Sequence, residues 1–80
     1  MTRFIDNNGK IAEITLINNG YEWQDEFFNV GSLSYNEDSD AYKVEDVDYL
    51  IDQANDYISG CGDFSDGEPQ ENAELVYEIK

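Results

Sequence analysis

The sequence predicts an α+β domain in which one amphipathic helix packs on an antiparallel sheet, with the elements in the order β-β-β-α-β. Three observations lead to this fold class. Two Asn-Asn-Gly triplets, at residues 7–9 and 18–20, enclose a segment of alternating apolar side chains, as hairpin turns enclose a strand. Apolar side chains then recur at helical spacing from residue 44 to residue 58. A last alternating segment follows at residues 73–79.

The first three strands are predicted to form a meander, over residues 2–6, 10–17 and 21–28. Ala12, Ile14 and Leu16 share one side of the second strand, which we expect to be buried because strand side chains alternate between faces. Large aromatic side chains alternate with polar and acidic ones in the third strand. We expect four aromatic residues to line the inner face of the sheet or its edges: Tyr21, Trp23, Phe27 and Tyr77.

Residues 29–43 are rich in Gly, Ser, Asn and Asp, so this segment is predicted to be irregular. A helix is predicted from Val44 to Ser59, with Gly60 at the left-handed position that ends many helices. An acidic loop over residues 63–72 is predicted to join the helix to the last strand. The side chains expected to face the sheet are Val44, Val47, Ile51, Ala54 and Ile58. We expect one domain over residues 1–80 with a modest core.

Charge is the second feature of the chain. Nineteen residues are Asp or Glu and four are Lys or Arg, for a formal net charge of -15. Residues 1–20 are neutral, whereas residues 37–74 contain thirteen acids and Lys43 as their only base. Such an excess of like charge opposes compaction and specifies no fold. It therefore indicates a positively charged partner surface, and its sign excludes ordinary binding to a phosphate backbone.

The predicted helix concentrates part of this charge on one side. Glu45, Asp48, Asp52 and Asp56 fall between about 60° and 140° from Ile51 on a helical projection. No Lys or Arg lies at the spacing that would pair with them along the helix. Successive carboxylates lie about 6 Å apart along the axis. Phosphates on a nucleic-acid strand advance ~3.4 Å along its axis and lie somewhat farther apart through space, so the two spacings are comparable. Such a row can meet the Lys and Arg side chains that a DNA-binding protein uses for phosphates.

The acids of the two flanking loops extend this predicted surface, and Tyr49 points away from the sheet as an interface anchor. A solvated helix face is the alternative interpretation, and the absence of interspersed bases argues against it. The predicted partner-binding residues are Glu37, Asp38, Asp40, Glu45, Asp48, Tyr49, Asp52, Asp56, Asp63 and Asp66.

Several classes of function are disfavoured by residue type. The chain has no histidine, so it lacks the imidazole base of common nucleophilic triads, and we expect no catalytic residue. The acidic loops do not match the ligand spacing of an EF-hand, so no metal and no cofactor are predicted. Cys61 is the only cysteine, which favours a reducing compartment. Because no apolar run approaches the length of a membrane span, we expect a cytoplasmic protein without membrane contact.

The carboxylate row at positions 45, 48, 52 and 56, with its acidic flanking loops, resembles the DNA-mimic inhibitors that phages encode against CRISPR and restriction systems. The resemblance lies in composition and charge layout and not in a sequence motif. It implies a stoichiometric anti-CRISPR inhibitor that blocks the DNA-binding site of a Cas nuclease or a Cascade subunit. It implies no direct binding of nucleic acid, and it leaves open a monomer or a homodimer.

Two alternatives use the same composition. An immunity protein would neutralise a cationic nuclease toxin through the same electrostatic attraction. An acidic structural domain, for example one adapted to high salt, would carry its acids on all faces. The neutral charge of residues 1–20 argues against that distribution.

Overall fold

The computed structural model describes residues 1–60 and 69–80 and confirms the α+β class. Within these residues, a sheet of six strands carries one long helix, and a short helix and a 3-10 turn lie in the connection between strands β3 and β4. The elements are β1 (Thr2–Ile5), β2 (Ile11–Asn18), β3 (Tyr21–Glu22), α1 (Gln24–Phe27), the 3-10 turn (Val30–Ser32), β4 (Tyr35–Asn36), β5 (Ala41–Lys43), α2 (Val47–Ser59) and β6 (Ala73–Ile79).

The sheet is mixed, so the prediction of a purely antiparallel sheet is wrong. Along one of its edges, β2 pairs antiparallel with β6. Along its other edge, β2 pairs antiparallel first with β1 and then, farther along the strand, with β3. β5 pairs with β1 in parallel, and β4 pairs antiparallel with β5. The connection through α1 and the 3-10 turn carries the chain from β3 to the far side of β1. This return places β5 beside β1 in the same direction.

The predicted third strand is much shorter than expected, because the chain turns into α1 after Glu22. The side chain of Gln24 takes the place of the missing strand: its Oε1 accepts the backbone N–H of Leu16 at 3.1 Å. Trp23 and Phe27 alternate with acids, but they are also four residues apart, which is helical spacing. Their rings pack edge to face at 5.0 Å in the helical arrangement.

Residues 29–43 contain regular structure, so the prediction of an irregular segment is wrong. The 3-10 turn is followed by a hairpin formed by β4 and β5. Each strand is too short to show alternation, which explains why the sequence pattern did not reveal them. The hairpin turn ends at Asp40, whose φ of 52° lies in the left-handed region that Asp and Asn tolerate better than most residues.

The core lies between the sheet and α2. Ala12, Ile14 and Leu16 are fully buried, as predicted. α2 begins at Val47 and not at Val44, because Asp46 is its N-cap and accepts the backbone N–H of Asp48. The helix ends as predicted, with Gly60 at a φ of 81°. The central cluster consists of Phe4, Ala12, Ile14, Val30, Val47 and Ile51.

Asp6 connects the first hairpin to the start of α2. Its Oδ1 accepts the backbone N–H groups of Asn8 and Lys10 at 2.9 and 3.0 Å, and its Oδ2 accepts that of Val47 at 3.3 Å. Burial of the carboxyl group opposes ionisation, but these three hydrogen bonds hold the pKa of Asp6 below its ordinary value. One carboxylate therefore fixes a turn and a helix N-terminus that are far apart in sequence.

Candidate partner-binding surface

The exposed side of α2 carries three of the predicted acids. Asp48, Asp52 and Asp56 are exposed, whereas Val47, Ile51 and Ala54 are buried against the sheet. The separation follows from helical periodicity, because residues four apart lie on the same side. We call the row formed by Asp48, Asp52 and Asp56 the acidic stripe.

The acidic stripe faces the edge of the sheet formed by β6. α2 packs over β2 and β6, and its other flank is turned towards α1 and β5. On that flank, Tyr57 packs against the rings of Trp23 and Phe27 at 5.0 and 5.4 Å. Leu50 lies with Val44 in a groove next to β5. The stripe lies on the opposite flank of the helix and is therefore above the β6 edge.

The cations of the chain are mostly engaged by acids outside the stripe. Glu13 pairs with Lys80 at 2.9 Å and with Arg3 at 3.3 Å. These contacts, the hydrogen bond from Lys80 foremost, hold the pKa of Glu13 below its ordinary value despite partial burial. The amino terminus pairs with Glu22 at 2.8 Å. Because β2 carries Glu13 on the face away from α2, these pairs leave the stripe largely uncompensated.

Asp48 is the member of the stripe that has a cation beside it in the described part of the chain. Lys10 Nζ lies 2.9 Å from Asp48 Oδ2, and this hydrogen bond raises the pKa of Lys10. Among the residues that the structure describes, no cation lies within ion-pair distance of Asp52 or Asp56. Asp56 is also near the C-terminus of α2, where the helix dipole disfavours a negative charge. No ion pair among the described residues therefore uses the charges of these two residues.

Glu45 and Tyr49 lie beside a separate feature. Glu45 precedes α2 and does not belong to the helix, which corrects its predicted place in the helical row. Both residues line an open groove of about 830 Å³ between the start of α2 and the end of β5. Tyr49 is 61% exposed, in agreement with a side chain that points away from the sheet.

The structure does not bring the remaining predicted acids to the stripe. Glu37, Asp38 and Asp40 are exposed in the turn between β4 and β5, which form the edge of the sheet opposite to β6. Asp63 and Asp66 lie outside the described residues. The acids that were predicted to share one face therefore lie on two separate surfaces, the acidic stripe on α2 and the turn between β4 and β5.

Sequence reasoning missed the apolar residues beside the stripe. Val76, Tyr77 and Ile79 are 51%, 48% and 42% exposed on β6. Tyr77 was expected at the inner face or an edge of the sheet, and it lies on the edge strand without a complete cover. Residue type gave one signal of this exposure, because Val76 shares its side of the strand with Glu74 and Glu78.

Other kinds of site find little support in the described part of the chain. No group of three His, Cys, Asp or Glu side chains there is arranged to hold a metal ion. None of its helices has the length and apolarity that a bilayer span requires. Comparisons with protein-family models, with curated proteins and with solved structures find no match to this chain.

Proposed function

We propose that this protein is a stoichiometric inhibitor that mimics nucleic acid and occupies the DNA-binding groove of a cationic protein in the cytoplasm. A Cas nuclease or a Cascade subunit is the partner that we favour, so the protein would act as an anti-CRISPR by binding and not by catalysis. The observation that carries the proposal is the acidic stripe, in which no cation of the described residues lies within ion-pair distance of Asp52 or Asp56. Charges that the fold does not use are available to a partner.

The physical mechanism is competition for phosphate-binding side chains. Carboxylates repeated at each helical turn would pair with Lys and Arg residues that otherwise contact phosphates. Long-range attraction would accelerate the encounter, and salt would weaken it because the screening length is ~8 Å at physiological ionic strength. Tyr49 would add contact area at the start of α2, since tyrosine buries a large surface at a small entropic cost.

The test is a titration of purified Cas effector complexes with the protein, with target-DNA binding and cleavage as readouts. We expect inhibition that ends at a fixed stoichiometry, is relieved by excess duplex DNA and weakens as salt is raised. The double variant D52N/D56N should lose most of the inhibition. The matched control D25N/E26Q removes two exposed charges from α1 instead, and it should inhibit as the wild type does.

Three results would count against this proposal. Full inhibition by D52N/D56N would show that the stripe is only a solvated surface. Equal loss in D25N/E26Q would show that net charge, and not its placement, matters. Inhibition of a cationic nuclease toxin without any effect on Cas complexes would replace the anti-CRISPR assignment with an immunity function.

The hairpin turn supplies a further comparison. Neutralising Glu37, Asp38 and Asp40 removes three charges from the sheet edge opposite to β6. We expect a smaller loss of inhibition than in D52N/D56N, although more charge is removed. A larger loss would move the binding surface to the hairpin.

A further inference from the structure

The outer edge of β6 offers unpaired backbone groups in a regular order. The N–H of Lys80 donates to the carbonyl of Ile11, and the N–H of Asn19 donates to the carbonyl of Asn72. In an antiparallel ladder the hydrogen-bonded pairs alternate, so the register places the backbone groups of residues 74, 76 and 78 towards β2. Those of residues 75, 77 and 79 point away from β2, and no described strand pairs with them, whereas the N–H of Ala73 donates to the carbonyl of Gln70 at 3.1 Å.

This edge carries exposed apolar side chains on each of its faces, two on one and one on the other. Tyr77 and Ile79 lie on the α2 side, opposite Ile14 and Ala12 of β2. Val76 lies on the other side, and all three β6 residues are more than two fifths exposed. An exposed edge strand with apolar side chains is a template for another strand unless charge prevents the pairing.

The charges around the edge select the partner. Above it lies the acidic stripe, and beneath it Glu74 and Glu78 flank Val76. Glu78 also lies 3.4 Å from Lys80 Nζ, which is shared with Glu13. A second copy of this chain would bring two acidic stripes towards each other across the paired edges, which is unfavourable. A strand that carries Lys or Arg would instead meet carboxylates on both faces.

We propose that the outer edge of β6 binds an extended basic segment of the partner by β-strand addition. The segment would continue the sheet through hydrogen bonds to residues 75 and 77, with basic side chains opposite Glu74 and Glu78 and an apolar one opposite Val76. Its recognition pattern is therefore basic-x-apolar-x-basic. This assignment rests on the proposed function for the existence of a cationic partner, and it adds the form in which that partner docks.

The test uses the acetylated and amidated peptide Thr-Lys-Thr-Val-Thr-Lys-Thr as the probe. Titration is followed by NMR chemical shifts and amide hydrogen exchange of the protein. Antiparallel pairing of the probe valine with Val76 should slow the exchange of the amides of Leu75 and Tyr77. The amides of Glu74, Val76 and Glu78 should change little, because they are already bonded to β2. This alternation is specific to strand addition.

Two controls separate strand addition from simple charge attraction. The same peptide, N-methylated at its two central threonines, keeps its charge but loses the donors that face β6, and it should not bind. The variant E74Q/E78Q should weaken peptide binding by about 2- to 30-fold, from the usual range for two cross-strand charge pairs. The variant D25N/E26Q removes two exposed charges from α1, away from β6, and should leave binding unchanged.

The outcomes also distinguish this inference from the proposed function. Equal binding of the methylated peptide, shifts confined to α2, or no change at millimolar peptide would each overturn strand addition. They would leave nucleic-acid mimicry by the stripe intact. Conversely, unaltered inhibition by D52N/D56N would refute the mimicry whatever the peptide does at β6.

Discussion

Removal of the charge of Asp52 should stabilise the fold. Asp52 has a like charge four residues away on each side, at Asp48 and Asp56, and no described cation lies within ion-pair distance of it. Like-charge pairs at this spacing destabilise a helix by roughly 0.2–0.5 kcal/mol each. Asn and Asp have similar helix propensities, so Asp52→Asn removes two repulsions with little other change. For a domain of this size, we expect Tm to rise by about 2–8 °C.

Asp48→Asn is the matched variant on the same stripe. Asp48 pairs with Lys10 at 2.9 Å and lies in the first turn of α2, where the helix dipole favours a negative charge. Its neutralisation relieves one repulsion and removes both favourable interactions, so Tm should not rise. Thermal unfolding followed by circular dichroism at low salt measures both variants.

A repeat in about 1 M salt should abolish the gain of Asp52→Asn, because the screening length falls to ~3 Å. Equal shifts in Asp48→Asn and Asp52→Asn, or a lower Tm in Asp52→Asn, would refute the reasoning. If Asp52→Asn is both more stable and a weaker inhibitor, the charge is retained at a cost to the fold, as expected for a binding residue.

Two further predictions concern buried polar groups. Gln24→Leu should lower the free energy of unfolding by about 1–3 kcal/mol in urea titrations, because it leaves the buried N–H of Leu16 without its acceptor. Gln53→Leu is the control. Equal effects of the two substitutions would contradict the role of Gln24 as the acceptor for Leu16. Asp6→Asn should be destabilising at neutral pH, since the N–H of Val47 loses its carboxylate acceptor. The folded protein holds the pKa of Asp6 below its ordinary value of 3.8. The stabilisation by the ionised Asp6 carboxylate is therefore fully present above pH 3.8, and it is lost as the pH falls through the lower pKa of the folded state. The Tm difference between wild type and Asp6→Asn should therefore shrink in acid, and a difference independent of pH would exclude this account.

Long periodic segments could be predicted from the sequence, and short ones could not. β2, α2 and β6 extend over at least two repeats of their own periodicity, so Ala12, Ile14 and Leu16 were correctly expected to be buried. β4 has two residues and β5 has three, which is less than any periodicity needs. The short α1 depends on a tertiary hydrogen bond from Leu16 to the Gln24 side chain, and no local pattern contains that information.

The candidate site was predictable to the same extent. Helical spacing correctly placed Asp48, Asp52 and Asp56 on one exposed face, because that face depends only on α2. The relation of residues 37–40 to this face depends on the sheet order, which pairs β5 with β1 in parallel. Parallel pairing is set by contacts distant in sequence, and the alternation within a strand does not reveal it. The exposed edge of β6 was missed for the same reason.

The position of β1 has a consequence for how the chain acquires its structure during synthesis. β1 joins the β4–β5 hairpin to the rest of the sheet, and its pairing with β5 requires a chain made to at least Lys43. β2 receives its longest neighbour only when residues 73–79 are available. An isolated two-stranded hairpin is at best marginally stable in water. We therefore expect a nascent chain that remains largely unstructured until residues 73–79 have left the ribosome, and then completes its sheet in a single cooperative step.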